Sequence, residues 1–276
     1  ELYAMAPPDP VAVTDANFYA AVNLWFSNEA NATATYGHIS DWNVSGVTDM
    51  NGTFKDRATF NEDISGRNTS NVTNMNSMSC NAAAFNQDIG DWNTSAVRTM
   101  FDLFKWATTF NQAIGDWDTS AVKNMSYMFR DAASFNQAIG DWNTTAVMSM
   151  QSMFLGAADF NQTIGDWNTS AVTNMDWMFY NATSFNQDVG DWDTSRVADM
   201  VNMFKYASAF NQDVGDWNTS VVTNMTDMFT NASALSDTNK GLIHSSFSSN
   251  SHWPYDWSAF VPGPSFAVED ANFTTA

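Results

Sequence analysis

A repeat of 25 residues is the strongest constraint on how this chain can fold. The segment FNQDIGDWNTSAV begins at Phe85, and close copies begin at Phe110, Phe135, Phe160, Phe185 and Phe210. A fixed period of this length is typical of proteins built from stacked copies of one unit. Burying seven apolar side chains contributes about 14 kcal/mol, at about 2 kcal/mol each. Ordering 25 backbones costs at least about 25 kcal/mol. One copy therefore cannot fold alone, and neighbouring copies must cover each other.

Four apolar columns run through the repeat and predict its core. Trp, Val, Met and Phe recur every 25 residues, starting at Trp42, Val47, Met50 and Phe60. Methionines at such regular positions beside Val and Phe are expected to be packed in the core rather than to bind a soft metal.

Within one copy, two patterns predict secondary structure. A stripe typical of a helix follows a possible N-cap at Thr94 or Ser95, and it consists of Val97, Met100, Leu103, Phe104, Ala107 and Phe110. The preceding residues 89–94 are compatible with a short strand. The sequence therefore predicts an α/β fold, a single solenoid of about eight strand–helix coils with a parallel sheet, capped at both ends. At a strand spacing of about 4.8 Å, eight coils would make a rod of about 40 Å.

The ends depart from the repeat and predict four segments. Residues 1–38 are expected to form a lead-in and an N-terminal cap, followed by the repeats at 39–235. Residues 236–264 are expected to close the stack. Residues 265–276 are a linker or the start of a further module, because AVEDANFTTA at 267–276 matches AVTDANFYAA at 12–21 in seven of ten positions. The match predicts either a tandem array or equivalent ends exchanged between subunits. Chance similarity in a repetitive composition is the remaining alternative.

Two polar columns accompany the apolar ones. An asparagine follows each Phe, from Asn61 to Asn211, and an amide can bond both its own turn and the next coil. This column is expected to be a structural ladder. An aspartate column runs from Asp91 to Asp216 and predicts a solvated edge. Weak Ca²⁺ binding between successive acids is the alternative, although no complete loop motif is present.

Charge and composition exclude several classes of partner. The chain has 10 Lys and Arg against 30 Asp and Glu, a formal net charge of -20. Neither nucleic acid nor an anionic membrane attracts such a surface. No apolar run is long enough to span a membrane. The single cysteine, Cys80, is interpreted as a drifted side chain on a variable face. The chain begins at Glu1, which is expected of a processed form.

Residues for catalysis or for cofactor binding are not recognisable. His38, His244 and His252 are scattered and lack metal-ligand spacing. Carboxylates recur identically in each copy, whereas an acid pair needs a unique site where two pKa values differ. The sequence predicts no enzyme, no metal and no cofactor.

Acceptor motifs for N-linked glycans are abundant. Fourteen asparagines are candidates: Asn31, Asn43, Asn51, Asn68, Asn71, Asn93, Asn124, Asn143, Asn168, Asn181, Asn218, Asn224, Asn231 and Asn272. Asn161 also starts such a motif but belongs to the expected ladder. The WNTS motif is also copied with the repeat for capping, which inflates the count. Several glycans on a secreted rod are nevertheless expected.

The pattern WNTSxVxxMxxMFxxAxxFNQxIGD resembles the repeat of the BspA-type leucine-rich-repeat surface proteins over residues 39–235. The resemblance implies a secreted or cell-surface location and a role in adhesion or protein binding, with no catalytic residues to transfer. Arg67 and Ser79 depart from the pattern by replacing Trp and Phe, so the second coil is expected to pack more loosely.

The sequence thus predicts a non-enzymatic, extracellular, structural or adhesive protein that is glycosylated and joined end to end into a filament or tandem array. The alternative is a receptor-like module that binds a protein or glycan through exposed residues such as Asn93, Asn143 and Asn168. Ice binding through the column from Thr94 to Thr169 is a third hypothesis. It is disfavoured because these threonines share the inward face with Trp.

Overall fold

The computed structural model describes residues 10–262. Two helices precede the repeats, α1 (Phe18–Ser27) and α2 (Glu29–Tyr36), and are followed by a short 3-10 helix at Ile39–Asp41. Helix α3 (Asp237–Phe247) follows the repeats, and a second 3-10 helix lies at Ser258–Phe260. The repeats between them form a stack of coils, each lying on the coil 25 residues before it.

The predicted α/β solenoid with a parallel sheet is wrong. Within the described chain the coils contain neither a helix nor a strand, and the pairing between them is limited to isolated parallel bridges. One bridge joins each pair of adjacent coils from Asp49–Asn74 to Asp199–Asn224. The stacking is in register, but the sheet and the helices expected around it are not formed.

The apolar spacing that predicted a helix arises from consecutive tight turns. The N–H groups of Leu103 and Ala107 donate to the carbonyls of Met100 and Phe104, three residues earlier, at 3.2 and 3.0 Å. The intervening N–H groups leave the coil, as Phe104 shows by donating to Met128 in the next coil at 2.9 Å. Turn closure every three to four residues gives the same inward spacing as a helix. Sequence periodicity therefore cannot distinguish a helix from linked tight turns.

Left-handed residues prevent these turns from continuing as a helix. Two positions in each coil have φ between 52° and 68°. The first column comprises Gly52, Ser77, Asp102, Tyr127, Ser152, Trp177, Asn202 and Asp227. The second comprises Asp56, Asn81, Trp106, Asp131, Gly156, Asn181, Tyr206 and Asn231. Side chains other than Gly, Asn and Asp disfavour this conformation by about 1–2 kcal/mol.

The core is a set of continuous aromatic stacks. Phe135 and Phe160 lie 6.0 Å apart with ring planes within 8°, and the indoles of Trp142 and Trp167 are 6.4 Å apart within 2°. The predicted Trp, Val, Met and Phe columns are buried throughout. This confirms the core, including the methionine column.

The asparagine ladder is confirmed as a structural feature. The Oδ1 atom of Asn136 accepts the N–H of Asn161 in the next coil at 3.0 Å and the Nε2 of Gln162 at 2.9 Å. The same arrangement recurs at the other coils from Asn86 to Asn186. Each coil therefore specifies the position of the next through one amide.

Arg67 preserves a bond that the tryptophans make. In the tryptophan column from Trp92 to Trp217, each indole N–H donates to a carbonyl in the preceding coil, as Trp92 does to Ile64 at 3.2 Å. The guanidinium of Arg67 makes the equivalent bond to Ile39 at 2.9 Å. Burial lowers the pKa of Arg67 to about 10. The bond to the first coil is thus retained at this departure from the repeat.

Helix α1 lies across the first coil. The carboxylate of Asp15 accepts from the N–H and the hydroxyl of Thr48 at 2.7 and 2.6 Å. The Tyr19 hydroxyl donates to the carbonyl of Asn51 at 2.9 Å. Phe18 is fully buried. Asp15 thus replaces the carbonyl, and Tyr19 the N–H donor, that a preceding coil would supply to the first coil.

The last coil is covered by α3 and an aromatic cluster. Trp253, Tyr255 and Trp257 pack around Phe229 with ring centroids 5.7–6.3 Å away. The Tyr255 hydroxyl accepts the N–H of Phe229 at 2.8 Å, in place of the carbonyl of a further coil. Asn239 takes the role of the repeat glutamine by donating to the Asn211 carbonyl at 2.9 Å.

The ladder makes a direct prediction about stability. Asn136→Ala leaves the Asn161 N–H and the Gln162 amide without their acceptor, so the free energy of unfolding should fall by about 1–3 kcal/mol. Asn136→Asp keeps an acceptor oxygen and should lose less. Chemical denaturation measures both. An equal loss in Asp141→Ala, which alters an exposed side chain, would show that the ladder is not the cause.

Candidate functional site

The predicted acceptor asparagines of the WNTS motif lie in identical exposed turns. The Oδ1 atom of Asn93 accepts the N–H of Ser95 at 3.0 Å, and Asn143 and Asn168 hold Thr145 and Ser170 at 3.1 and 3.0 Å. The turn fixes the amide oxygen, so the Nδ2 atom, to which a glycan would attach, faces outward. These turns replace the predicted helix N-caps.

Most of the other candidates are also accessible. Eleven are exposed, namely Asn31, Asn43, Asn51, Asn68, Asn71, Asn93, Asn143, Asn168, Asn181, Asn218 and Asn231. Asn124 and Asn224 are half-buried at the bridge positions, and Asn161 is half-buried in the ladder. Asn272 and the tail match at 267–276 lie outside the described residues. The structure thus brings the candidates together as rows on the coils and not as one pocket.

The threonine column faces inward. Thr94 is 1% exposed and donates its hydroxyl to the carbonyl of Asp118 at 3.0 Å. Thr119, Thr144 and Thr169 do the same toward the next coil. Hydroxyls used in this way are not available to an ice surface.

The charged and metal-ligating candidates do not converge. The aspartate column from Asp91 to Asp216 is exposed, and residues 10–262 contain no group of three acidic, His or Cys side chains placed to hold a metal. His244 accepts the indole N–H of Trp253 at 3.0 Å, so this histidine belongs to the closing cap.

Cys80, interpreted as a drifted side chain on a variable face and not as a nucleophile, is buried. Its side chain is 2% exposed, and burial raises the pKa of the thiol. Lys55 and Lys105 hold the same position in the adjacent coils, so the position is variable. A buried thiol with a raised pKa forms little thiolate, so Cys80 has the environment of an unreactive thiol.

An open cleft of about 590 Å³ lies over the last coil. Its floor is the segment 217–223, and its wall is the segment 246–252 at the end of α3. Asn250 holds the two together by donating to the carbonyls of Thr219 and Val222 at 2.6 and 3.0 Å. The cap covers only part of the coil, which leaves this hydroxyl-lined groove where a further WNTS turn would sit.

Asp176 is an unusual carboxylate on the turn face, the surface formed by residues 101–106 and the residues at the same repeat positions in the other coils. Its Oδ2 atom accepts from Gln151 at 3.0 Å, while Oδ1 is buried without a partner among the described residues. Burial raises the pKa of Asp176 above its ordinary value of 3.8. An uncompensated buried carboxylate weakens the folded state when it is ionised.

This carboxylate makes the stability depend on pH. Because the folded pKa is raised, the folded state holds more protons than the unfolded chain above pH 3.8, and stability falls as pH rises through the folded pKa. Asp176→Asn keeps the acceptor for Gln151 and removes this loss. We expect a higher melting temperature than wild type at neutral pH and an equal one near pH 3.

The control for this prediction is Asp166→Asn, which removes one exposed negative charge. Thermal melts of both variants across this pH range separate local burial from general repulsion in a chain of net charge -20. An equal gain in both variants would contradict the assignment to Asp176.

Comparison with known proteins places the chain in a family. The profile of the family described as "Mycoplasma protein of unknown function, DUF285" matches residues 22–142 and again residues 128–242. The two matches together cover more than half of the chain, so the chain belongs to this family. No curated protein matches it. The resemblance to BspA-type proteins stays a prediction.

Among residues 10–262, none of the helices is long and apolar enough to cross a bilayer. Sequence reasoning missed the terminal cleft because it depends on how far the cap extends over the coil. It also missed Asp176, for which the repeat gives no signal. The same repeat position is variable, so an acid there departs from no column. At this position the other coils hold Asn51, Asn76, Phe101, Ser126, Gln151, Val201 and Thr226.

Proposed function

We propose that the protein is a non-enzymatic, extracellular structural or adhesive component that acts through its repeated surface and joins end to end. The observation that carries this proposal is that its polar groups repeat from coil to coil instead of converging. The Asn and Thr columns are bonded between coils, and the carboxylates of the Asp column stand singly. Catalysis needs a unique arrangement of groups, whereas a repeated surface suits scaffolding and multivalent contact.

The exposed acceptor turns support a glycosylated surface. Asn93, Asn143 and Asn168 present the same outward amide at intervals of one or two coils. A glycan coat on these rows would keep rods apart laterally and leave their ends as the sites of association. This favours linear assembly over bundling.

The tail match supports joining at the ends. Within residues 12–21 the four buried or half-buried positions are Val13, Asn17, Phe18 and Ala21, and all four are repeated at 267–276. The three differences fall on the exposed residues Thr14, Tyr19 and Ala20, so the Tyr19 bond to Asn51 is a cap contact whose side chain the tail does not repeat. Asp15, which binds Thr48, is also repeated. The tail thus carries the side chains that start an N-terminal cap, as either a further module or an exchanged end requires.

Electron microscopy tests the assembly. We expect the native protein to form linear particles, because its tail supplies the start of a second cap. A chain of residues 1–262 lacks that segment and should remain as single rods. Single, unjoined rods from the native protein at all concentrations would refute end-to-end joining.

Glycopeptide mass spectrometry on native material tests the coat. Asn181 and Asn231 have no acceptor motif at the same position in an adjacent coil, so we expect high occupancy there. Asn143 and Asn168 are about 5 Å apart on adjacent coils and should be partly occupied because glycans crowd. Asn161 should be empty because its amide belongs to the ladder. Occupied Asn161 with empty Asn181 would contradict this assignment.

A receptor-like module is the second candidate function. The single observation that favours it is a group of exposed aromatic residues that breaks the repeat on the turn face, including Trp106 and Tyr206 at 41% and 40% exposure.

A further inference from the structure

The turn face is the part of the molecule where neighbouring coils differ most. It carries six aromatic side chains outside the core columns, which we call the aromatic strip: Phe101, Trp106, Tyr127, Trp177, Tyr180 and Tyr206. Coils with different residues at these positions have the same fold. The side chains that differ here are therefore not needed for stacking.

Four aromatic residues of the strip occupy unfavourable backbone positions. Trp106, Tyr127, Trp177 and Tyr206 have φ between 59° and 63°. The other twelve residues in the two left-handed columns are Gly, Asn, Asp or Ser. A bulky side chain at positive φ is strained, and such strain concentrates at functional sites. These four aromatic residues thus lower stability at positions where other coils carry asparagine.

The strip consists of two clusters separated by one coil. In the first, the rings of Phe101 and Tyr127 meet edge to face at 5.5 Å, and Lys105 lies 4.5 Å from the ring of Trp106. In the second, Tyr180 contacts Trp177 at 4.8 Å and Tyr206 at 5.5 Å.

The coil between the clusters carries small side chains at both left-handed positions, Ser152 and Gly156. A cavity of about 210 Å³ lies there, walled by Tyr127 on one side and Trp177 on the other. Arg130, Gln151 and Leu155 complete its lining. The cavity is smaller than a site for a drug-sized ligand, and its volume suits one six-membered ring.

The charges of the strip favour a neutral ligand. Lys105 pairs with Asp102 at 3.3 Å, and Lys205 pairs with Asp227 at 2.7 Å. The basic groups are therefore already compensated within a chain of net charge -20, which repels polyanions.

The size of the strip argues against a folded protein partner. The strip spans five coils spaced about 4.8 Å apart and six residues of about 3.3 Å each. Its area is therefore at most about 500 Å². A stable protein interface needs about 800 Å² from each partner. An extended chain of small units fits this long, narrow surface better.

We propose that the aromatic strip binds a linear neutral oligosaccharide, with one sugar ring seated in the cavity between Tyr127 and Trp177. The C–H faces of the sugar pack on the aromatic rings. The guanidinium of Arg130 and the carboxamide of Gln151 are planar groups that pair with adjacent hydroxyls, Gln151 through its carbonyl oxygen because its Nε2 atom donates to Asp176. This inference rests on the proposed adhesive function, for which it names the surface and the class of ligand.

The test uses the full chain produced without glycans, because Asn181 lies beside Tyr206 in the adjacent coil and its own glycan would cover the strip. The probes are neutral hexasaccharides of glucose, N-acetylglucosamine and mannose, with hexagalacturonate as the anionic comparison. Calorimetric titration should show saturable binding of at least one neutral probe.

The variants replace strip residues with the asparagine that occupies the same column at Asn202. Tyr127→Asn and Trp177→Asn should each weaken binding at least tenfold while the melting temperature stays equal or rises. Met148→Thr is the matched control, since it removes an exposed apolar side chain from another repeat position where Thr173 and Thr223 are found.

Failure of every neutral probe to bind would overturn the proposal, as would tighter binding of hexagalacturonate or equal binding by wild type and both asparagine variants. Microscopy of the same variants separates this outcome from failure of the assembly function. Trp177→Asn chains that still assemble but no longer bind sugar would place adhesion in the strip and joining at the ends.

Discussion

The whole structure depends on the division of backbone hydrogen bonds between turns and coils. In the turn segment, one set of N–H groups closes turns within the coil and the other donates to the next coil. Left-handed residues at two fixed positions make this division possible, because they redirect the backbone after each turn. The aromatic stacks and the asparagine ladder follow from the resulting register. A coil without neighbours would leave half of these donors to water and both flanks of its core exposed, so its remaining contacts could not offset the cost of ordering its backbone.

The sequence predicts the core and the register better than the local structure. Identical residues at a fixed period must stack, so the buried columns from Val47 to Leu235 and the ladder from Asn61 could be predicted. The helix and strand could not, because inward spacing at three and four residues is shared by helices and by linked tight turns. Asn81, Asn181 and Asn231 are the residues that could have distinguished them, since asparagine favours the left-handed conformation. The burial of Cys80 could not be predicted either, because the same position is half-buried or exposed in the other coils.

Some of the candidate functional surfaces could be predicted from the sequence, and others could not. Acceptor asparagines such as Asn93 could be predicted because they belong to the repeat. The cleft over residues 217–223 and the cavity beside Trp177 could not, because both arise where the repeat ends or changes. Reading the departures from a repeat is therefore the more informative route to its function. Residues that recur every 25 positions maintain the stack. Residues that depart from the repeat despite a strained backbone are candidates for ligand recognition.

Each column of coil-to-coil backbone bonds has one fixed direction. In the turn segments from Met50 to Tyr206, N–H groups donate to carbonyls of the following coil, and this series ends at the Tyr255 hydroxyl opposite Phe229. The N–H groups of the column from Thr73 to Thr223 donate in the opposite direction, to the preceding coil. The opposite terminus meets a tyrosine hydroxyl as a donor, at Asn51. The molecule consequently has a plus and a minus pole that are chemically unlike. Copies joined through these poles must run parallel, so any polymer of them would be polar, could elongate differently at its two tips, and would have no twofold axis across its length.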